Sequence, residues 1–287
     1  MPEGHTIHRL AADHRERFLG ERLAVSSPQG RFAESAALLD GRTLETAEAV
    51  GKHLFLGFSG SRDSSGPSGP SDPAPVADWV HIHLGLFGRL DFGVAPVPAP
   101  TDTVRLRLVG SGAYADLRGP TRCALVTDAE KRATGDRLGP DPLREDADGS
   151  RAWERLSRSR TSIAALLLDQ KVLAGVGNVY RAEVLFRHGV DPYRAGRTLR
   201  RHEWDALWAD LAALMRIGVR ENRIDTVRPE HTPEAMGRPP RVDDHGGEVY
   251  VYRRTNLPCL VCSTPVRTAE LGARNLFWCP HCQPPVG

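Results

Sequence analysis

Two sets of residues in this chain have types and spacing suited to chemistry: Pro2 with Glu3 at the start, and four cysteines near the end. Once Met1 is removed, which a small second residue permits, Pro2 is a free secondary amine. A secondary amine that attacks an aldehyde or masked aldehyde gives a cationic iminium directly, so an unprotonated terminal proline is a ready Schiff-base nucleophile. An α-amino group titrates near pH ~7.7–8.0, within reach of neutrality. Glu3 beside it is a candidate general acid and base. The same two residues are also a good helix start, with proline at the first helical position and an acid in the first turn. In that helix Ile7, Leu10, Ala11, His14 and Phe18 fall on one face, and its dipole lowers the amine pKa further.

Cys259 and Cys262 form one Cys-x-x-Cys pair and Cys279 and Cys282 another, with 16 residues between them. Each pair offers two thiolates from one tight turn, and a β-hairpin between the turns closes a tetrahedral site, which points to one structural zinc ion. A reducing cytosol argues against a disulfide framework. The fifth cysteine, Cys123, reads as a small buried hydrophobe.

Other stretches offer phosphate or base contacts. Gly175-Val176-Gly177-Asn178 opens a helix; glycines allow close backbone approach, and a first helical turn is an anion site. Asn178 either caps that helix or donates its amide to a phosphate. Lys52 sits in a turn before an apolar alternation, as a solvated lysine or as a cation in a site. The stretches 83–88, with Leu86 and Phe87, and 116–120, with Arg118, read as loops that present large side chains between glycines or a proline.

The elements that must carry these residues follow from periodicity. Short alternations at 23–25, 43–58 turning at Gly51, 80–84, 104–108 and 114–117 predict strands, as does most of the chain from Arg22 to about Val126; a β-sandwich or barrel follows. Residues 59–78, rich in Ser, Gly, Pro and Asp, read as a disordered insertion. A linker at 138–145 precedes helical periods at 150–157, 161–169, 177–188 and 200–221. From Val249 to Trp278 the pattern returns to strands.

The chain has 287 residues, 40% of them hydrophobic, and net charge +2, enough for more than one domain. Residues 151–287 hold 21 Lys/Arg against 15 Asp/Glu and residues 1–150 hold 17 against 21, so the C-terminal half is the one expected to meet a polyanion. No signal or membrane segment is apparent, which predicts a cytoplasmic protein.

Taken in order, Pro2-Glu3, GKHLFLGF with Lys52, HLGLFG, LGPDPL, LLLDQKVLAGVGNVY and the two cysteine pairs with Arg274 five residues before Cys279 resemble the formamidopyrimidine-DNA glycosylase/endonuclease VIII family of base-excision repair enzymes. The resemblance covers nearly all of the chain outside residues 59–78 and about 225–247. It implies an α+β multidomain fold: an N-terminal helix plus β-sandwich catalytic domain at 1–137, a helical helix-two-turn-helix domain at 138–247 and a zinc-finger hairpin at 248–287. Pro2 is then the nucleophile on a damaged nucleotide, Glu3 the proton shuttle and Lys52 a phosphate contact that assists the acid chemistry. Asn178 and Arg274 hold backbone phosphates, and Leu86, Phe87 and Arg118 fill the space left by an extruded base, as bent DNA requires. The implied activity is a bifunctional glycosylase and abasic-site lyase ending in β,δ-elimination. The implied partner is damaged DNA, met by a monomer in the bacterial nucleoid with no membrane and no small-molecule cofactor.

The departures from the family pattern concern substrate. Gly4-His5 after Pro-Glu looks like the endonuclease VIII branch; Leu86-Phe87 replaces Met-Ser, Pro120 stands where an aromatic is expected, and no glycine- and threonine-rich purine-covering loop is recognisable at 225–247. Oxidised pyrimidines are the expected preferred lesions. A non-catalytic zinc-dependent DNA-binding protein of the same fold is the rival reading, which the joint presence of Pro2, Glu3 and Lys52 argues against. A zinc-ribbon transcription or RNA-binding protein leaves the N-terminal half without a role.

Overall fold

The computed structural model describes residues 2–60, 76–242 and 247–285. Contacts divide the chain into two compact units, Met1–Pro2 with Ile7–Arg137 and Glu3–Thr6 with Leu138–Gly287.

The first helix, α1 (Gly4–Phe18), starts two residues later than the sequence suggests. Glu3 lies outside it, its carbonyl accepting the Thr6 amide at 3.0 Å. In the first unit, β1 (Ala24–Ser26) is followed by a short helix α2 (Ala33–Leu39), then β2 (Leu44–Val50), β3 (His53–Ser59), β4 (Val76–His83), β5 (Arg89–Val94), β6 (Val104–Val109), β7 (Ala113–Arg118) and β8 (Arg122–Val126). The strands form two antiparallel sheets, β1-β6-β7-β5 and β2-β3-β4-β8. Alternation explains the sandwich: Leu54, Leu56 and Phe58 of β3 and Leu106 and Leu108 of β6 enter one core with Ile7, Leu10, Ala11 and Phe18 of α1. The other face of β3 presents Phe55, which packs with Trp79 and Val126. On that outer face Lys131 of α3 (Asp128–Asp136) lies 3.5 Å from the Trp79 ring centre and 2.7 Å from the Glu48 carboxylate.

The expected disordered insertion at 59–78 is corrected at its ends. Ser59 closes β3 and 76–78 open β4, paired as Ser59↔Val76 and Phe58↔Asp78; residues 61–75 lie outside the described residues. Cys123, in β8, is half-buried rather than buried, and burial pushes its thiol up to about 12.

In the second unit the expected helices form as α4 (Gly149–Leu156), α5 (Ile163–Leu168), α6 (Asn178–Arg187) and α7 (Arg201–Glu221), followed by a short α8 (Pro233–Met236). Their apolar faces share a core with Tyr250, Val251 and the zinc-knuckle segment. The strands expected from Val249 reduce to β9 (Arg267–Leu271) and β10 (Arg274–Trp278). The Val-Tyr-Val-Tyr alternation at 249–252 is not a strand because buried Glu183 takes its backbone donors: the amides of Tyr250, Val251 and Tyr252 all reach the carboxylate, at 2.7, 2.9 and 2.8 Å.

Candidate functional site

In the second unit, Glu3 is fully buried and accepts the amides of Gly177 and Val179 at 2.8 Å each, with Tyr180 at 3.5 Å. These are the first-turn donors of α6, which have no partner within their own helix. The anion expected at this helix start is therefore the chain's own glutamate, whose carboxylate sits at the positive end of the α6 dipole.

Close backbone approach makes the seat possible. A Cβ on Gly177 would lie 2.4 Å from the Glu3 carboxyl carbon, and one on Gly4 would lie 2.9 Å from the Gly175 Cα. Gly4 also donates to the Gly175 carbonyl at 2.8 Å. Gln170, which sequence reasoning missed, shapes the loop before α6: its amide donates to the carbonyls of Leu168 and Val176, and its oxygen accepts from Gly175.

Asn178 is buried, and its amide nitrogen donates to the Asn275 carbonyl at 2.9 Å. Arg274, next to Asn275, is exposed at the tip of the β9–β10 hairpin. The tip is a two-residue turn in which Gly272 and Ala273 both have positive φ, the backbone that matches the twist of paired strands. Glu3, Asn178 and Arg274 thus belong to one unit and Pro2 to the other.

In the first unit, Lys52 follows Gly51, whose φ of 58° makes the turn between β2 and β3. Three histidines that sequence reasoning passed over lie beside it on β3 and β4. His53 Nδ1 and His81 Nε2 are 2.8 Å apart, and His83 Nδ1 is 3.0 Å from the Thr121 hydroxyl. Burial pushes His53 down to about 4 and His81 to about 3, with neighbouring imidazoles and Arg122 adding to it. Burial, and then the Lys52 charge, also lower His83. His53 and His81 are therefore neutral at physiological pH, and Lys52 and Arg122 are cations beside the cluster. The signal available was the run His81-Ile82-His83, whose period places both rings on one face of a strand.

Leu86 and Phe87 occupy the turn after β4, with Phe87 88% exposed. Arg118 is corrected: it ends β7 instead of standing at a loop tip. Its guanidinium bonds Asp91 at 2.8 Å and Asp116 at 2.9 Å. The ladder sets Asp91 opposite Asp116, and two facing carboxylates need cations; Arg107 supplies a second one through two bonds of 2.7 Å to Asp116.

The four cysteine sulfurs lie within 4.8 Å of one another, with Cys262 and Cys279 at 3.4 Å and Cys259 and Cys282 at 3.9 Å. Four thiolates about 2.3 Å from a tetrahedral ion stand ~3.8 Å apart, so the cluster fits one zinc. Amide donors reach the sulfurs from Val261 and Cys282, as anionic ligands require. With four protein ligands the site is closed to a catalytic water; its role is to hold the hairpin that carries Arg274.

Residues 1–123 match the formamidopyrimidine-DNA glycosylase N-terminal domain, 138–228 the formamidopyrimidine-DNA glycosylase H2TH domain, and 256–285 the zinc finger found in FPG and IleRS. Endonuclease 8 1 of Mycobacterium tuberculosis is 50% identical over 287 residues, 99% of this chain and 100% of that protein. The formamidopyrimidine-DNA glycosylase of Marinobacter nauticus is 32% identical over 297 residues, 99% and 98% of the two chains. Among solved structures, the MutM (Fpg) protein of Thermus thermophilus superposes with a TM-score of 0.72 at 26% identity, covering 98% of each chain. Fold and site together define the class, DNA glycosylases with abasic-site lyase activity in base-excision repair. The chain belongs to the formamidopyrimidine-DNA glycosylase/endonuclease VIII family. Among the described residues no helix is long and apolar enough to cross a membrane.

Proposed function

We propose that the enzyme removes oxidised bases, pyrimidines ahead of purines, from damaged DNA through a Schiff base on Pro2 followed by β,δ-elimination. The observation that carries this reading is the seat of Glu3: a buried carboxylate fixed by backbone amides, one peptide bond from the only secondary amine a chain can offer. The unprotonated Pro2 nitrogen bonds to C1′ as the C1′–base bond breaks, and the base leaves with the electron pair. The Glu3 carboxylate takes the N–H proton that Pro2 sheds on bonding and passes it to O4′, the C1′–O4′ bond opens and the iminium forms. Loss of a C2′ proton expels the 3′ phosphate, and a second elimination expels the 5′ phosphate, leaving a gap with phosphate at both ends.

Lys52, Asn178 and Arg274 act as phosphate contacts, and Leu86 and Phe87 as wedges in the duplex; Arg118, already held by two carboxylates, contacts the DNA from the end of its strand. The work divides among residues 1–137 for chemistry, 138–247 for the helical clamp and 248–287 for the zinc hairpin. The protein acts as a monomer in the bacterial cytoplasm on nucleoid DNA, with no membrane and no small-molecule cofactor.

The pyrimidine preference rests on what fills the void. Leu86 is shorter than methionine and Pro120 supplies no aromatic wedge, so base pairs that open easily are favoured. Single-turnover rates on matched oligonucleotides test this: thymine glycol and 5-hydroxyuracil should be excised fastest, ring-opened purines next, and 8-oxoguanine opposite cytosine slowest. If 8-oxoguanine opposite cytosine is fastest, the substrate reading falls and the amine chemistry is untouched.

A further inference from the structure

Arg181 is fully buried in the second turn of α6, an unusual place for a cation. Its Nη2 donates to the Asn178 side-chain oxygen and, at 2.9 Å, to the Asn275 carbonyl, whereas Nε and Nη1 have no hydrogen-bond partner among the described residues. Burial lowers its pKa to about 10, with Glu3 opposing the shift and Arg274 adding to it, so it is still a cation at neutral pH. A buried charge with most of its donors unfilled lowers stability, and an apolar side chain of similar length would pack there without that loss. What arginine adds is a group that can only donate.

That property fixes the neighbouring amide. An asparagine side chain can turn over and exchange its oxygen and nitrogen. Turned over, Asn178 would set its nitrogen against the guanidinium and its oxygen against the Asn275 carbonyl, donor on donor and acceptor on acceptor. The Asn275 carbonyl in turn receives two donors, Asn178 Nδ2 and Arg181 Nη2, both at 2.9 Å. Either can leave without stranding the carbonyl.

We propose that Arg181 is a positioning residue for DNA binding: it holds the oxygen of Asn178 inward so that the amide nitrogen is presented as a donor, and it shares the Asn275 carbonyl so that this nitrogen can move to a backbone phosphate. The inference rests on the reading of Asn178 as a phosphate contact, and the experiment separates the two.

The probe is a duplex with a stable tetrahydrofuran abasic analogue, titrated over a range of salt against Asn178→Ala, Arg181→Met, the double variant, Arg181→Lys and Asn178→Asp, each with bound zinc measured. Asn178→Ala and Arg181→Met should each weaken binding about 10-fold, as one lost hydrogen bond does. The double variant should lose no more than either alone. The salt slope should be unchanged, because no charged contact is removed. Asn178→Asp keeps an acceptor for Arg181 and loses the outward donor, so binding should fall at least 10-fold with bound zinc kept. Arg181→Lys, still a pure donor, should stay within about 3-fold of the parent and serves if Arg181→Met does not fold. An additive, ~100-fold loss in the double variant overturns the inference alone, as does a salt slope reduced by about 1 in Arg181→Met, the mark of a direct phosphate contact. Full affinity in Asn178→Ala overturns both the phosphate reading and the inference built on it.

Discussion

The Glu3 carboxylate and the Val179 amide are 2.8 Å apart across 176 residues of sequence. The proton-handling group expected next to the nucleophile is thus held by the turn that opens α6, and the Gly-x-Gly before that helix leaves it room.

Replacing Gly177 by alanine tests that seat, because the added methyl overlaps the carboxyl group. We expect a stability loss of about 1–3 kcal/mol from overpacking and a fall in single-turnover rate on the order of 100-fold from a displaced catalytic group. A Gly177→Ala enzyme that keeps its full rate contradicts the assignment of Glu3.

Pro2→Gly, or retention of Met1, removes the secondary amine. Borohydride trapping on abasic DNA should disappear in the Met1-retained protein, while affinity for the stable abasic analogue stays within a few fold. Full lyase activity with Met1 in place sinks the nucleophile assignment.

Metal analysis should return one zinc per chain. Chelation should unfold the β9–β10 hairpin, because in a closed tetrathiolate site metal binding and local folding are one process; DNA binding then falls as Arg274 loses its position. A metal content near zero with DNA binding intact contradicts this.

Acid should destabilise the first unit before its carboxylates titrate. Burial pushes His14 and His53 down to about 4 and His81 to about 3, against an ordinary value near 6.5. The folded state therefore holds these rings neutral while the unfolded chain takes up protons. Their contribution is complete above pH ~6.5 and is lost as the pH falls through the folded values, on the order of 1 kcal/mol per pH unit for each ring. Urea midpoints measured from pH 7 to 4.5 should decline throughout; a flat profile excludes buried neutral histidines.

Much of this was legible because the physics is local. The period of α7, the turn at Gly51 and the spacing of the cysteine pairs each act within a few residues, and the structure has them where the sequence puts them. What escaped depends on residues distant in sequence. Nothing near Glu3 says that its partners are the amides of 177 and 179, nothing near Arg118 reveals that Asp91, 27 residues earlier, will help hold it to a sheet, and the alternation at 249–252 is a faithful strand signal overridden by one buried carboxylate.

That carboxylate has a kinetic consequence. Glu183 also accepts the Thr226 hydroxyl, at 2.7 Å, so one side chain ties α6 to two segments more than 40 residues further along the chain. The amides of Tyr250, Val251 and Tyr252 have no ladder to fray from; they open only when α6 lets go. In a hydrogen-exchange experiment they should behave as members of the helix's foldon, exchanging at its slow rate while the adjoining hairpin, stripped of metal, exchanges freely.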